Sequence, residues 1–370
     1  MGGITRARTA FDAVQRQIEG AEFADWQGWE WIAGFGNAVA EHRAVRTACG
    51  LWDESALQKW GLSGPDALAA ADRFFTNDMR SLQPGQVRYG AFCDDDGHML
   101  GDGTVFALAS DRCWVITALE SDGDALREAA GELDYEMSND TAELPHLQLQ
   151  GPQSRSVLQS LTDADLDTLG YYRLWPEPVS VAGQQVQVAR CGYSGELGYE
   201  LYCAPDSAER LWQAILDTGR VTPYGLNAVE TLRQESGLIF IGCDYFPGET
   251  DPYEMNLDRV IRLEKPGFRG QQALRAIAAA PPRRLTTLVF EPDGVPAYGA
   301  PVHRDGRQVG QVRSACWSPT FARGIAMAVI ESGLIEPDGR FDVETSDGPA
   351  ALASVASYPL YDPQKLRPRG

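Results

Sequence analysis

Cys191-Gly192-Tyr193-Ser194-Gly195-Glu196-Leu197-Gly198-Tyr199-Glu200-Leu201-Tyr202 is the stretch from which the rest of the chain is best read. Glycine recurs at every third position, and the run then alternates like a strand. Glycine at this density marks backbone that turns tightly or lets another group come close. Glu200 falls between Tyr199 and Leu201, where a carboxylate can face a pocket and clamp a ligand carrying adjacent N–H donors. Read alone, the run also fits a glycine-rich hairpin whose glutamate points to water.

On either side the hydrophobic periods alternate between strand and helix. Residues 38–48 have helical spacing and 51–62 read as one strand. A short helix opens after Pro65-Asp66 and runs to Phe74. Strands are expected over 87–93, 103–107, 113–118, 146–150, 184–190 and 199–203, with helices over 121–131, 152–158 and 207–216. Residues 227–237 read as a helix with Glu230, Arg233, Gln234 and Glu235 on its polar side. A helix over 270–282 runs into Pro281-Pro282, the expected domain boundary. Beyond it, short strands over 285–290, 301–302, 307–312 and 324–329, with turns at Asp293-Gly294 and Asp305-Gly306, suggest a small all-β barrel or sandwich. The whole reads as α+β.

Bulk properties narrow the function. With 370 residues the chain is long enough for two or three domains. Its formal net charge of -20 repels nucleic acid and anionic lipid surfaces, while leaving room for a small anionic ligand in a local basic pocket. Seven scattered cysteines without a CxxC, and only four histidines, argue against a disulfide scaffold or a structural zinc site and fit a cytoplasmic protein. No metal is expected. The first 23 residues lack the apolar core of a secretion signal and read as a lead-in and first helix. No apolar run reaches membrane-span length.

A set of motifs then carries a family resemblance. FADWQGW at 23–29, LWDES at 51–55, LSGPDA at 62–67, FFTNDM at 74–79 and LQPGQVRYGAFCDDDGHMLGDG at 82–103 come first. LQGP at 149–152, CGYSGELGYELY at 191–202, DPYEMNLDRVIRLEKPGFRGQQAL at 251–274 and WSPTFARGIAMA at 317–328 follow. In this order they resemble the glycine-cleavage T-protein superfamily, the folate-dependent aminomethyltransferases and their methyltransferase relatives. The resemblance implies a three-domain disc-like fold around a central folate channel. Its units would be 1–140, 141–280 and a β-barrel-like 281–370, with tetrahydrofolate as cofactor.

The resemblance also implies roles. Asp102 matches the family carboxylate beside the folate nitrogens, Glu200 the one that binds the pterin N–H groups, Tyr89 a tyrosine of the folate site, and Glu254 a glutamate near the channel. Departures accompany these matches: Gly101 replaces the first carboxylate of an acidic pair, Val229 an arginine, and Ala56 a histidine. Trp26, Trp29 and Trp31 make the entry segment unusually aromatic. Together they point to a changed one-carbon donor and the demethylase branch of the superfamily. The expectation is a tetrahydrofolate-dependent demethylase taking a methyl group from a small O-methyl, possibly aryl, donor. Asp102 would handle protons, Tyr245 would donate to the leaving group, and Trp29 and Trp31 would wall the donor. The alternatives are an aminomethyltransferase of glycine cleavage, with a lipoyl carrier protein as partner, an S- or N-methyl demethylase, and a non-catalytic folate-binding regulator.

Overall fold

The computed structural model describes residues 6–290, 294–345 and 351–370. The expected turn at Asp293 lies outside these residues. Two mostly antiparallel sheets face each other, and a closed barrel of six strands packs beside them.

The first sheet is built around His146–Gln150, which pairs with Gly198–Cys203 on one side and Gly50–Asp53 on the other. Its alternating sequence explains its two faces. Leu147 and Leu149 enter an apolar core with Leu51, Tyr199 and Leu201. His146 and Gln148 point the opposite way, and so do their in-register partners Tyr202 and Glu200. Both faces are buried, so the polar one meets protein or ligand and not bulk water.

The second sheet orders as Val87–Cys93, Met99–Ala109, Arg112–Thr117, Gln58–Ser63 and Glu136–Asn139. One face (Phe92, Val105, Cys113 and Val115 among others) packs on helices Ala67–Phe74 and Asp122–Ala130. The other presents Tyr89, Asp102, Thr104 and Ile116 toward the first sheet, since Tyr89 lies opposite Thr104 and Thr104 opposite Ile116.

Two expectations need correction, and a third, the carboxy-terminal barrel, is met. Residues 51–62 are not one strand. The chain leaves the first sheet at Asp53, whose Oδ1 accepts from the Ser55 amide at 3.0 Å, and enters the second sheet at Gln58. This local side-chain turn breaks the ladder, and it means the strand Gly50–Asp53 sits in the sheet made largely by residues 146–223. The amino-terminal lead-in holds a two-residue strand, Ala7–Arg8, and a helix of just four residues, Asp12–Gln15. A hairpin, Ala21–Trp26 with Trp29–Phe35, follows it, turning through Gln27 and Gly28, both at positive φ. The carboxy-terminal region is a barrel whose strands Arg340–Val343 and Ala351–Ala356 close it against Arg283–Phe290.

Helix Leu226–Glu235 joins the halves. Its polar residues Arg233, Gln234 and Glu235 are buried, because that side lies against the barrel strand Arg307–Ser318 and not in water. Arg233 Nη1 reaches Asp244 Oδ2 at 2.6 Å and its Nη2 reaches Ser314 Oγ at 2.9 Å. Glu235 takes Arg46 at 2.9 Å, Ser318 at 2.5 Å and Thr320 at 2.8 Å.

His42 belongs to the same seam, with Nδ1 2.7 Å from Thr231 Oγ1 and Nε2 3.0 Å from Thr320 Oγ1. Burial is the main cause that pushes its pKa from 6.5 to about 4. Between those values the unfolded chain holds the extra proton and the folded chain does not. Stability is therefore lost as pH falls from 6.5 toward 4 and levels off below, by about 3 kcal/mol from this one group. Urea midpoints at several pH values should show this slope in the natural chain and a shallower one in His42→Gln.

Candidate functional site

A cavity of about 310 Å³ opens between the inner faces of the two sheets. That lies at the small end of the range for small-molecule sites. At one end Asp102 is held by two phenols. Tyr89 OH donates to its Oδ2 at 2.8 Å and Tyr245 OH donates to its Oδ1. Burial raises the Asp102 pKa, and the two phenol bonds pull it partly back. Burial likewise pushes both tyrosines well above their ordinary value.

At the other end Glu200 and Glu54 lie on either side of the central strand His146–Gln150, Glu200 opposite Gln148 and Glu54 just past the end of strand Gly50–Asp53. Tyr202 OH donates to Glu200 Oε2 at 2.6 Å. Glu54 Oε2 accepts from His146 Nε2 at 3.0 Å and from Gln148 Nε2. The His146 ring stacks on Tyr202 with centroids 4.6 Å apart. Burial raises the pKa of both glutamic acids, and the Glu200 charge adds to the rise at Glu54. Lys59 lies behind them, fully buried, with Nζ donating to Ser55 O at 2.6 Å. Burial lowers its pKa to about 7, against the pull of Asp53, Glu54 and Glu200.

The opening glycine motif serves this end. Side chains at Gly192 or Gly198 would strike the Gln150 amide, at 2.1 and 2.2 Å. That amide crosses the loop, donating to Cys191 O at 3.2 Å and accepting from Ser194 Oγ at 2.7 Å. Gly195 has φ +78°, and a Cβ there would lie 2.2 Å from Ser236 Oγ. The loop is thus folded flat beneath Glu200.

The expected site residues separate into two groups. Asp102, Glu200, Tyr89 and Trp31 line the cavity. Trp31 is fully buried, stacks on Trp52 at 5.2 Å and donates through Nε1 to Asp53 O at 2.5 Å. Tyr245 stands behind Asp102 and off the cavity wall, so its phenol meets a carboxylate and not a leaving group. Trp29 is also off the wall, at the hairpin turn, packed against the cluster of Trp31 and Trp52. Glu254 faces Arg283 at 3.2 Å and the amide side of the barrel junction instead of the cavity. Val229 is buried against the tryptophan cluster, and Arg233 is spent on Asp244.

Reading the chain in order missed Glu54, His146, Gln148 and Tyr202, which only cross-strand register brings together. The period-two pattern of His146–Gln150 was the available signal. It also missed the carboxy-terminal tail, where Tyr358, Tyr361 and Lys365 form part of the cavity wall. Tyr361 N donates to Glu235 O at 2.7 Å and Tyr358 OH to Gly237 O at 2.9 Å, fastening the tail. Among the described residues no cluster of His, Cys, Asp and Glu could hold a metal ion. Among them, too, no helix is long and apolar enough to cross a membrane.

Two facing sheets with acids on both walls of an aromatic cavity make a site that suits a flat heterocycle bearing N–H groups. Comparison with known proteins narrows this. Residues 13–265 match the GCVT N-terminal domain, and residues 283–362 match the glycine cleavage T-protein C-terminal barrel domain. The chain is 37% identical over 372 residues to an aminomethyltransferase of Streptomyces avermitilis, covering 96% of this chain and 98% of that one. A Moorella thermoacetica aminomethyltransferase is 35% identical, covering 92% and 94%. The glycine cleavage system aminomethyltransferase T of Bartonella henselae shares the fold with a TM-score of 0.88 at 24% identity, covering 96% and 98%. The chain belongs to the glycine-cleavage T-protein family.

These relatives overturn the expected assignment to a separate demethylase branch, and with it the O-methyl demethylase activity. The relatives that match over nearly their full length are aminomethyltransferases. The departures at Gly101, Val229 and Ala56 thus do not place the chain in a separate branch. The α+β fold with its terminal barrel stands, as does the transferase of folate one-carbon metabolism with a small-molecule partner. Tetrahydrofolate, the cofactor of the family, fits the residues present. Its aminopyrimidine edge offers the N–H donors that buried Glu200 can accept, and Trp31, Trp52 and Tyr202 supply flat apolar surface.

Proposed function

We propose that this chain is a tetrahydrofolate-dependent aminomethyltransferase of the glycine-cleavage type, working on an aminomethyl group presented by a lipoyl-bearing carrier protein. The observation that carries the reading is the buried Asp102 carboxyl at the cavity wall, held by two tyrosine phenols. Relatives named aminomethyltransferase over nearly the whole chain support it. Tetrahydrofolate supplies the nitrogens that take up the one-carbon unit.

The chain's own residues bind, orient and manage protons. Glu200 accepts from the pterin N–H edge. Asp102, with its pKa raised by burial, is able to hold or release a proton beside the reacting nitrogens. Tyr89 and Tyr245 fix the orientation of that carboxyl. Trp31 and Trp52 exclude water from one wall. The seven cysteine thiols are all free, which supports a cytoplasmic setting. We take the chain as three units, 1–140, 141–280 and 281–370, with one strand exchanged between the first two.

The test is product analysis by mass spectrometry. The chain is incubated with tetrahydrofolate and an aminomethylated lipoyl carrier, and in parallel with methoxyarenes. Carrier-dependent 5,10-methylenetetrahydrofolate and ammonia support the reading. Absence of both, with folate bound, would sink it.

A further inference from the structure

Glu54 is a buried acid on the cavity wall that the proposed reaction leaves without a task. Its two oxygens differ. Oε2 accepts two hydrogen bonds, from His146 Nε2 and Gln148 Nε2. Oε1 has no hydrogen-bond partner among the described residues, and it is not among the buried side-chain oxygens left without one, so it faces the cavity.

Those bonds fix the protons. His146 is held neutral, chiefly by burial and then by the Lys59 charge. Its Nδ1 has no partner, so the ring proton belongs on Nε2, donated to Glu54. The Gln148 amide is likewise fixed, since its Oε1 accepts from Tyr193 N at 3.0 Å and its Nε2 must donate. With Oε2 saturated as an acceptor, a proton on Glu54 sits on Oε1 and points at the ligand. The groups that face this acid favour keeping that proton on balance. Burial and the neighbouring Glu200 and Asp53 charges raise its pKa, and only Gln148 and Lys59 oppose them. Tyr202 and Tyr224 close the surroundings as neutral phenols.

We propose that Glu54 is a second pterin-positioning residue, donating its Oε1–H as a neutral acid to ring N1 while Glu200 accepts from N3–H and the 2-amino group. The aminopyrimidine ring presents an acceptor nitrogen flanked by donors, so one carboxylate alone reads only part of it. A carboxylate and a carboxylic acid on either side of the strand His146–Gln150 read both kinds of atom. This inference rests on the folate reading above.

The test is calorimetric titration of the full chain with 5-formyltetrahydrofolate and with an analogue carrying carbon in place of N1. Glutamine at position 54 keeps an acceptor for His146 and Gln148 and places an N–H where the acid had O–H. Glu54→Gln should therefore bind the natural ligand within about twofold of the unaltered chain, while Glu54→Met should bind it about tenfold more weakly. The N1-carbon analogue should bind the unaltered chain and Glu54→Met equally, which also shows that the variant is folded. The unaltered chain alone should favour the natural ligand over the analogue by about tenfold.

Equal affinity of Glu54→Met and the unaltered chain for the natural ligand would overturn the inference and leave the folate reading intact. So would a loss in Glu54→Gln as large as in Glu54→Met, or no preference for N1 in the unaltered chain. Failure of the unaltered chain to bind 5-formyltetrahydrofolate at all would overturn the folate reading itself.

Discussion

Asp102→Asn is expected to lower kcat by roughly 10²- to 10⁴-fold, the usual range for removing a positioned proton-transfer group. The change is small in volume and keeps one oxygen as acceptor. Tyr89 and Tyr245 can turn their hydroxyl hydrogens to suit the amide, so the local packing survives. What is lost is the ability to gain and release a proton at a buried site. Thermal midpoint and folate affinity should stay close to those of the natural chain. In the natural enzyme, burial moves the Asp102 titration above the ordinary carboxylate range. The activity that depends on its ionised form therefore falls off at a higher pH than an exposed aspartate would allow. A rise in KM with kcat unchanged would show that Asp102 only binds.

Arg233→Met is expected to cost about 3–5 kcal/mol, because it strands a buried charge. Arg233 and Asp244 are both fully buried, and their 2.6 Å contact lies where helix Leu226–Glu235 meets the barrel. Asp244 also accepts from Ser314 Oγ at 2.6 Å and from Phe240 N at 2.8 Å. It therefore ties the helix, the following loop and a barrel strand at one point. Burial, joined by the Glu230 charge, raises the Asp244 pKa, and Arg233 does most to oppose that rise. Without the guanidinium the carboxyl must take up a proton or draw in water. Urea unfolding should show the midpoint drop in Arg233→Met and recovery of much of it in Arg233→Met/Asp244→Asn, where no fully buried charge of the pair remains and only the partly exposed Glu230 has lost its partner. A loss below about 1 kcal/mol in the single variant would place this pair with exposed ion pairs of little consequence.

What could be read in the chain, and what could not, divides along sequence distance. The alternation of His146–Gln150 and of Gly198–Cys203 marks strands, and the glycine spacing at 192, 195 and 198 marks close approach. Asp102 and Glu200 stand out as polar residues inside such patterns. Glu54 does not, because its partners lie 92 and 94 residues away and reach it only across a strand register. The break at Asp53 depends on a side chain folding back on its own backbone, between flanking stretches that each read as strand. Helix Leu226–Glu235 looks amphipathic with an exposed polar face, yet that face meets a barrel built from residues about 80 positions later. Trp29 and Trp31 are two residues apart on one strand. The hairpin turn leaves the first at its end and carries the second to the cavity, a distinction that composition cannot draw.

The most direct test of the central claim is a crystal structure of the full chain with bound 5-formyltetrahydrofolate. The account predicts the aminopyrimidine ring at the Glu54–Glu200 end of the cavity and the formyl-bearing nitrogen within hydrogen-bond reach of Asp102. A pterin bound in the opposite direction, or at any site outside the two facing sheets, would contradict it.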